Sequence, residues 1–516
     1  MDKPRQSPRT RSLELYRLFV VLLVLWGFVI VLQTSSLFEA TKCQLISSSR
    51  LQRAFSIRTP WRRSDEDEDE AYELSADAGD PSEVSEQDLL HLSLLHEHCV
   101  SDVNGSLSWE FGSPEHQLSN ASASNPEVVM RQSDSNLLEK LRQCPDVDIF
   151  LPTDLHGNGY CEDAVAYAKY LNSRLLPKWA LEVKLYDPYR GYEVDYFDLC
   201  PKTPMIFFNH YWDGVPLMPR WPKDKPIYLM PNIEMFELTP AHYWKVDVVL
   251  CKTQECYDRV TRWYKQEGNP RNTPVFYTKH TSSDQALFAR KRMGERVIRP
   301  KDFSDIKFIH TAGTSSAKGT RELLECWIFV PGLPQLDVYI DDKPFNLLFK
   351  EKLKMYLKFS RSPVNVHVGL VERSKFTKLT ADTTFFMCPS VSEGYGHYIN
   401  QARAAGAVVV TTDLSPMNEL ITANETGFLI PVERRKHSKM LMGGAYRGEH
   451  GLRDVDGLVA TFRGPNVCEV VREMMALTTT EQRAAMGANA RRAYHEDTEF
   501  FAKAMQELRQ FARRSN

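Results

Sequence analysis

From residue 147 onward the chain alternates short apolar runs with polar or helix-patterned stretches. The runs lie at 147–152, 181–185, 205–208, 226–230 and 246–251, and again at 307–313, 336–340, 364–368, 384–387 and 408–411. Each has the length of a strand, and the segments between them carry helical spacing, the first from about Glu162 to Leu175. Such alternation predicts mostly parallel sheets covered by helices, an α/β fold. It occurs twice at similar length, on either side of a charged stretch at 289–300. Two Rossmann-like domains are therefore expected, 146–300 and 301–495. Beyond Gly464 the pattern turns helical, at 470–477, 480–494 and 498–511.

The N-terminal part has a different pattern. Residues 18–32 carry no charge, and Lys3, Arg5, Arg9, Arg11 and Arg17 precede them. A spanning helix needs roughly 17–25 largely apolar residues, and a Lys/Arg excess marks the cytoplasmic side. The expected layout is a cytoplasmic tail at 1–17, a transmembrane signal-anchor at 18–38 and a lumenal remainder. That is a single-pass type II topology in the Golgi or endoplasmic reticulum membrane. A cleaved signal peptide ending near Thr34-Ser35-Ser36 is the competing reading. Residues 39–145 read as a largely flexible stem, because the acidic run at 65–70 cannot bury itself. A short amphipathic helix is expected within it over 86–99. Sequons at Asn104, Asn120 and Asn424 agree with lumenal exposure.

Composition narrows the function. With 42% hydrophobic and 25% charged residues the chain is ordinary for a globular protein, and a net charge of −3 offers no basic excess for a nucleic-acid partner. Ten cysteines are compatible with disulfides in an oxidising compartment, their pairing left open. Cys251 and Cys256 have no matching ligands nearby, so no zinc site is expected.

In parallel sheets ligands bind past the carboxyl ends of the strands. The residues there are His156, Gly157 and Gly159, then Asn209, His210 and Asp213, then Asn232 and Glu234. In the second domain, Gly313-Thr314-Ser315-Ser316-Ala317-Lys318-Gly319-Thr320 opens a helix with flexible backbone, hydroxyls and one ammonium, a combination suited to an anion. Ser390-Val391-Ser392-Glu393-Gly394-Tyr395-Gly396 follows another strand and precedes another helix. Its glycines let amides approach a phosphate, while Glu393 can accept hydrogen bonds from hydroxyls. Phosphate-binding amides beside a hydroxyl-binding carboxylate suit a sugar nucleotide. The plainer readings are a solvated Lys318, a loop-capping His210 and a Glu393 that serves only the helix macrodipole.

The stretch from Glu393 to Gln401 resembles the E-x7-E donor-binding motif of GT-B fold glycosyltransferases of the retaining family-4 (group 1) type. The resemblance covers about residues 146–514 and is sharp around 308–320 and 384–431. It implies two Rossmann-like domains facing a cleft, with a C-terminal helix, 496–516, returning to the N-terminal domain. It implies transfer of a hexose from a nucleotide-sugar to a glycan, glycoprotein or glycolipid, with no cofactor and no metal. Glu393 and His210 become the catalytic candidates. Lys318, Gly319, Gly313, Gly394 and Gly396 would bind the donor diphosphate, and Glu393, Tyr395 and Gln401 the sugar and ribose. His156, Gly157, Gly159, Asn232 and Glu234 are acceptor-side candidates. The chain departs from the pattern at Gln401, where the family has a second Glu, and in lacking an Arg in the loop before Lys318, a lack that Arg321 could offset. An inverting GT-B transferase with His156 or Asp154 as base is one rival. A catalytically silent GT-B scaffold binding glycans or a partner enzyme is the other.

Overall fold

The structure, a computed structural model, describes residues 84–113, 128–157, 159–444 and 446–515, all within one unit, Gly79–Asn516. The expected tail, signal-anchor and acidic run, and Asn120, lie outside the described residues. Among the described residues no helix is long and apolar enough to cross a membrane.

The first lobe is built on β1 (Ser106–Ser108), β2 (Val129–Met130), β3 (Asp148–Phe150), β4 (Arg174–Leu176), β7 (Met205–Phe208), β8 (Ile227–Met230), β9 (Val248–Cys251) and β10 (Val275–Tyr277), with β5 (Leu185–Asp187) and β6 (Tyr192–Val194) as a separate hairpin. Their order in the sheet is β10-β9-β8-β7-β3-β4-β1-β2. From β10 to β4 all neighbours are parallel, whereas β1 pairs antiparallel with β4 and β2 with β1. Strands β3, β7, β8 and β9 are buried at every position, as a sheet covered on both faces requires. The second lobe has a wholly parallel sheet ordered β13-β12-β11-β14-β15-β16, from β11 (Lys307–Gly313), β12 (Gln335–Ile340), β13 (Val364–Val368), β14 (Phe385–Cys388), β15 (Val408–Thr412) and β16 (Gly427–Ile430).

Several expectations need correction. The stem was expected to reach residue 145, yet β1 and β2 extend the first sheet, and helix α1 (Glu86–Ser101) packs on the body. Leu89, Leu92 and Leu95 of α1 are fully buried, and Cys99 is disulfide-bonded to Cys161 of helix α2 (Tyr160–Leu171). The polar character of the linking segments hid this docking. Helix α2 also stops short of Leu175, because Asn172 takes a left-handed conformation that ends it and lets 174–176 become β4. Residues 178–182, which overlap the start of the strand expected at 181–185, form a short helix after Pro177, and a strand begins only at Leu185. A short apolar run does not separate strand from buried helix by periodicity.

The three C-terminal helical stretches are two helices, Gly464–Leu477 and the long Thr480–Ser515. The second crosses between lobes without a break. Phe501, Met505, Leu508 and Ala512 join the core of the first lobe, while Met486 joins that of the second. The described disulfides are Cys99–Cys161, Cys144–Cys200, Cys251–Cys256 and Cys326–Cys468.

The two lobes are held together by a strap, residues 436–458, between β17 (Glu433–Arg435) and β18 (Val459–Thr461). It leaves the second lobe and lies along helix α3 (Gln254–Glu267) of the first. Its Met440, Leu441, Met442, Leu452 and Leu458 share a core with Val260 and Trp263. Trp263 Nε1 donates to His450 O at 2.7 Å, and Arg259 Nη1 to Met442 O at 2.5 Å.

Candidate active site between the two lobes

In the second lobe the chain runs outward from β11 through β12 to β13, then returns to place β14 on the other side of β11. The carboxyl ends of β11 and β14 therefore flank a switch point, where an open sheet leaves a crevice. The loop after β11 carries Gly313 to Gly319, and helix α4 (Thr320–Phe329) follows. The loop after β14 carries Ser390 to Gly396, and helix α5 (His397–Ala404) follows. Two helix N-termini thus open onto one crevice, each preceded by a left-handed glycine, Gly319 and Gly396.

Across this crevice Lys318 Nζ donates to Glu393 Oε1 at 2.5 Å. Both are largely buried, and the ammonium lies 3.9 Å from the centre of the Tyr398 ring. Ser390 donates its hydroxyl to the same Glu393 oxygen and lies 2.5 Å from the Tyr398 hydroxyl. Gly319 holds the loops together: a Cβ there would sit 1.9 Å from the Pro389 carbonyl oxygen. A Cβ at Gly313 would meet nothing within 4 Å, so that residue faces open space.

The first lobe meets this crevice through the loop after β8. A Cβ at Gly394 would come within 2.4–2.7 Å of the Asn232 carboxamide, so backbone of one lobe touches side chain of the other. Asn232 N donates to Asn209 Oδ1, which ties the loops after β7 and β8 together. Burial pushes the Glu234 carboxyl up to about 7; Lys252 opposes this, while Glu393 and Asp163 add to it. Gly159 adjoins His397, with 3.8 Å from a built Cβ to the ring, and Gly157 is open.

Sequence reasoning missed a second group beneath the crevice. Asp163 of α2 accepts from Lys252 Nζ at 2.9 and 3.0 Å and lies 2.9 Å from His280 Nε2 and 3.1 Å from His397 Nε2. Burial opposes its ionisation, yet Lys252 and the histidines hold Asp163 well below the usual carboxylate range. Burial drives His280 down to about 4. Asp163, His280 and His397 offer atoms within 4.8 Å of one another, as a metal site would, but the Lys252 ammonium already serves that carboxylate. Lys252 follows β9 just as Asn232 follows β8, so inspecting every strand end would have found it.

Some expected residues are placed elsewhere. His156, the acceptor-side and general-base candidate, is buried under the Cys99–Cys161 disulfide, with Nδ1 2.6 Å from Cys99 O. Burial lowers its pKa, so it is a neutral packing residue. Asp154 is exposed on the turn beside it. Gln401, expected at the ribose, donates Nε2 to Glu162 Oε1 of α2 at 2.6 Å, because α5 packs directly on the first lobe. Tyr395 is buried and donates its hydroxyl to His280 O at 2.7 Å, leaving only its backbone to the crevice. Glu419 accepts from the amides of Gln254 and Glu255 and so caps α3 from the other lobe. His210 packs tilted against the Tyr211 ring, its Nδ1 without a hydrogen-bond partner among the described residues. Asn104 and Asn424 are exposed.

Among curated protein sequences, none matches this chain. Solved structures similar to it include a glycosyltransferase from Rickettsia africae ESF-5, with TM-score 0.46, 11% identity, and 72% of this chain and 99% of that one covered. The sucrose-phosphate synthase of Thermosynechococcus elongatus gives TM-score 0.43 and 13% identity over 66% and 83%. Anabaena HepE, solved with UDP and glucose, gives 0.37 and 13% over 56% and 71%. Residues 350–439, which include Glu393, Gly394, Tyr395, Gly396 and Gln401, match the family model described as glycosyl transferases group 1. The second lobe of this two-lobed α/β protein thus contains, around the loop after β14, a stretch similar to the glycosyl transferases of group 1.

Proposed function

We propose that the protein transfers a hexose from a nucleotide-sugar to a glycan, glycoprotein or glycolipid, with retention at the anomeric carbon. The observation that carries this reading is the Lys318–Glu393 pair at the second-lobe switch point, facing Asn232 and Glu234 across the crevice. The donor diphosphate would draw Lys318 away from Glu393 and lie against the amides near Gly394 and Gly396, with Gly313 and Gly319 allowing close approach. Glu393, released, would accept hydrogen bonds from the sugar hydroxyls. The bond from the anomeric carbon to the phosphate oxygen breaks, the acceptor oxygen bonds to that carbon on the same face, and the acceptor proton passes to the departing phosphate oxygen. No metal or cofactor enters these steps.

The setting proposed is the lumen of the Golgi or endoplasmic reticulum, with residues 18–38 as a type II anchor. Four disulfides in the described body support an oxidising compartment. Inversion is the second reading, and Glu234 is now its base in place of His156, since a carboxyl raised to about 7 is suited to general-base work.

The test is the full chain in detergent, incubated with a panel of nucleotide-sugars and saccharide acceptors. Nucleoside diphosphate release and the product's anomeric configuration by NMR are read together. Retention with release is expected. Binding without release would mark a silent scaffold, and no nucleotide binding at all would overturn the reading.

A further inference from the structure

Beside the crevice, between the loop after β8 and the strap, lies a cavity of about 530 Å³ lined by Phe236, Ser438, Lys439, Tyr446, Arg447 and Gly448. We propose that this cavity is an acceptor subsite for an acidic sugar residue, a pyranose bearing a carboxylate or sulfate. The proposal rests on the glycosyltransferase reading above and names the acceptor's chemical class.

Charge gives the first argument. No carboxylate lines the cavity, and Lys439 and Arg447 form no ion pair with a described residue. Of the charges nearby, Arg434 pairs with Asp456, and both His450 and Arg453 with Glu267, whereas Lys436, Glu449 and Asp454 have no ion pair with a described residue and do not line the cavity. Two cations without an ion pair to a described residue, Lys439 and Arg447, thus line the cavity. A guanidinium and an ammonium together match a carboxylate or sulfate, one as a fork and one as a point charge.

Shape gives the second. Phe236 is 52% exposed, and the Lys439 ammonium lies 5.5 Å from the centre of its ring. An exposed aromatic face beside Tyr446 and the Ser438 hydroxyl offers a pyranose ring an apolar surface and hydrogen-bond partners at its edge. A neutral sugar would leave both cations unused.

Position gives the third. Phe236 is four residues past Asn232, whose carboxamide touches Gly394. About 14 Å of extended chain is therefore the largest separation from the crevice. The floor is rigid, because Met440, Leu441 and Met442 are buried in the first-lobe core directly after Lys439. Tyr446 and Arg447 lie beyond the stretch matched by the family, which ends at residue 439.

The experiment titrates the full chain in detergent with three disaccharides: one ending in a uronic acid, its 6-O-sulfated hexose counterpart and the neutral hexose parent. Wild type should bind one or both acidic probes at least about tenfold more tightly than the neutral one. The Lys439→Ala/Arg447→Ala double variant should lose that preference, and Phe236→Ala should weaken all three probes. The Arg472→Ala/Arg514→Ala double variant, which removes two exposed cations elsewhere, controls for net charge. Equal affinity for acidic and neutral probes, no binding of any probe, or a preference that survives in the double variant would each overturn the proposal. Nucleotide binding is measured in the same samples. Its loss with saccharide preference intact would sink the transferase reading and leave the subsite standing.

Discussion

Lys318 and Glu393 approach from opposite sides of the second-lobe switch point, and the ammonium donates to the carboxylate at 2.5 Å. In the proposed complex they serve different parts of one donor, the diphosphate and the sugar. Without a ligand each satisfies the other, so a largely buried charge is not left alone. Donor binding is then an exchange of partners, in which neither group is desolvated anew.

The exchange makes the two substitutions differ. Lys318→Ala removes a charge-assisted hydrogen bond to the diphosphate and should weaken nucleoside diphosphate binding by roughly 1.5–3 kcal/mol. Glu393→Gln keeps a neutral hydrogen-bonding group but frees Lys318, so nucleotide affinity should hold or rise while turnover falls as the sugar loses its positioning. Calorimetric titration with the diphosphate and steady-state rates separate the two effects. Equal loss of affinity in both variants would mean the pair acts as one structural bridge.

Glu234 should leave a pH signature. Its folded pKa is raised from 4.5 to about 7, so between these values the folded protein binds more protons than the unfolded chain. The contribution of this carboxyl is most favourable below about 4.5 and is lost as pH rises through about 7. Glu234→Gln mimics the protonated form, so wild type and variant should have similar Tm near pH 4.5. The variant should become relatively more stable by pH 8. A difference in Tm that does not change with pH would show that folding does not raise the Glu234 pKa.

Much of this was legible because backbone geometry dictates residue type. Gly319, Gly394 and Gly396 lie where a left-handed turn or a neighbouring atom leaves no room for a side chain, and that demand is printed in the sequence. The two sheets were legible too, since fully buried strands such as β7 and β15 must be continuous apolar runs. Contacts between distant segments were not. His156 follows a strand as a site residue would, yet α1 brings Cys99 over it. The partner of Gln401 is Glu162, on a helix 239 residues away, and no local pattern records such a pairing.

The glycines themselves can be ranked. Gly394→Ala puts a methyl within 2.4–2.7 Å of the Asn232 carboxamide and should force loop or lobe to shift. Overpacking of this kind costs about 1–3 kcal/mol. Gly313 has φ +54 but open space around it, so Gly313→Ala meets backbone strain alone and should cost less. Denaturant midpoints give the order in stability, and donor affinity should fall further for Gly394→Ala. The reverse order would mean the lobes are farther apart in solution than this arrangement holds them.

Gln401 decides between family pattern and observed contact. The resemblance implies a carboxylate here that grips the ribose, so Gln401→Glu would be expected to tighten nucleotide binding. The geometry gives the opposite expectation. Gln401 Nε2 donates to Glu162 Oε1 at 2.6 Å, and Glu162 is buried, its remaining acceptors taken by Ser283 N and Oγ, with His96 3.3 Å away. A glutamate would set two carboxylates face to face, and one would be forced to keep its proton. That raises a folded pKa, so the penalty is absent at about pH 4.5 and grows as pH rises. By pH 7.5 Gln401→Glu should be less stable than wild type by roughly 1–3 kcal/mol, the cost of a buried group left without its partner. Nucleotide affinity should not improve. Melting curves at both pH values and one nucleotide titration are sufficient. Tighter nucleotide binding with unchanged stability would show that Gln401 turns from Glu162 to the ribose when the donor arrives.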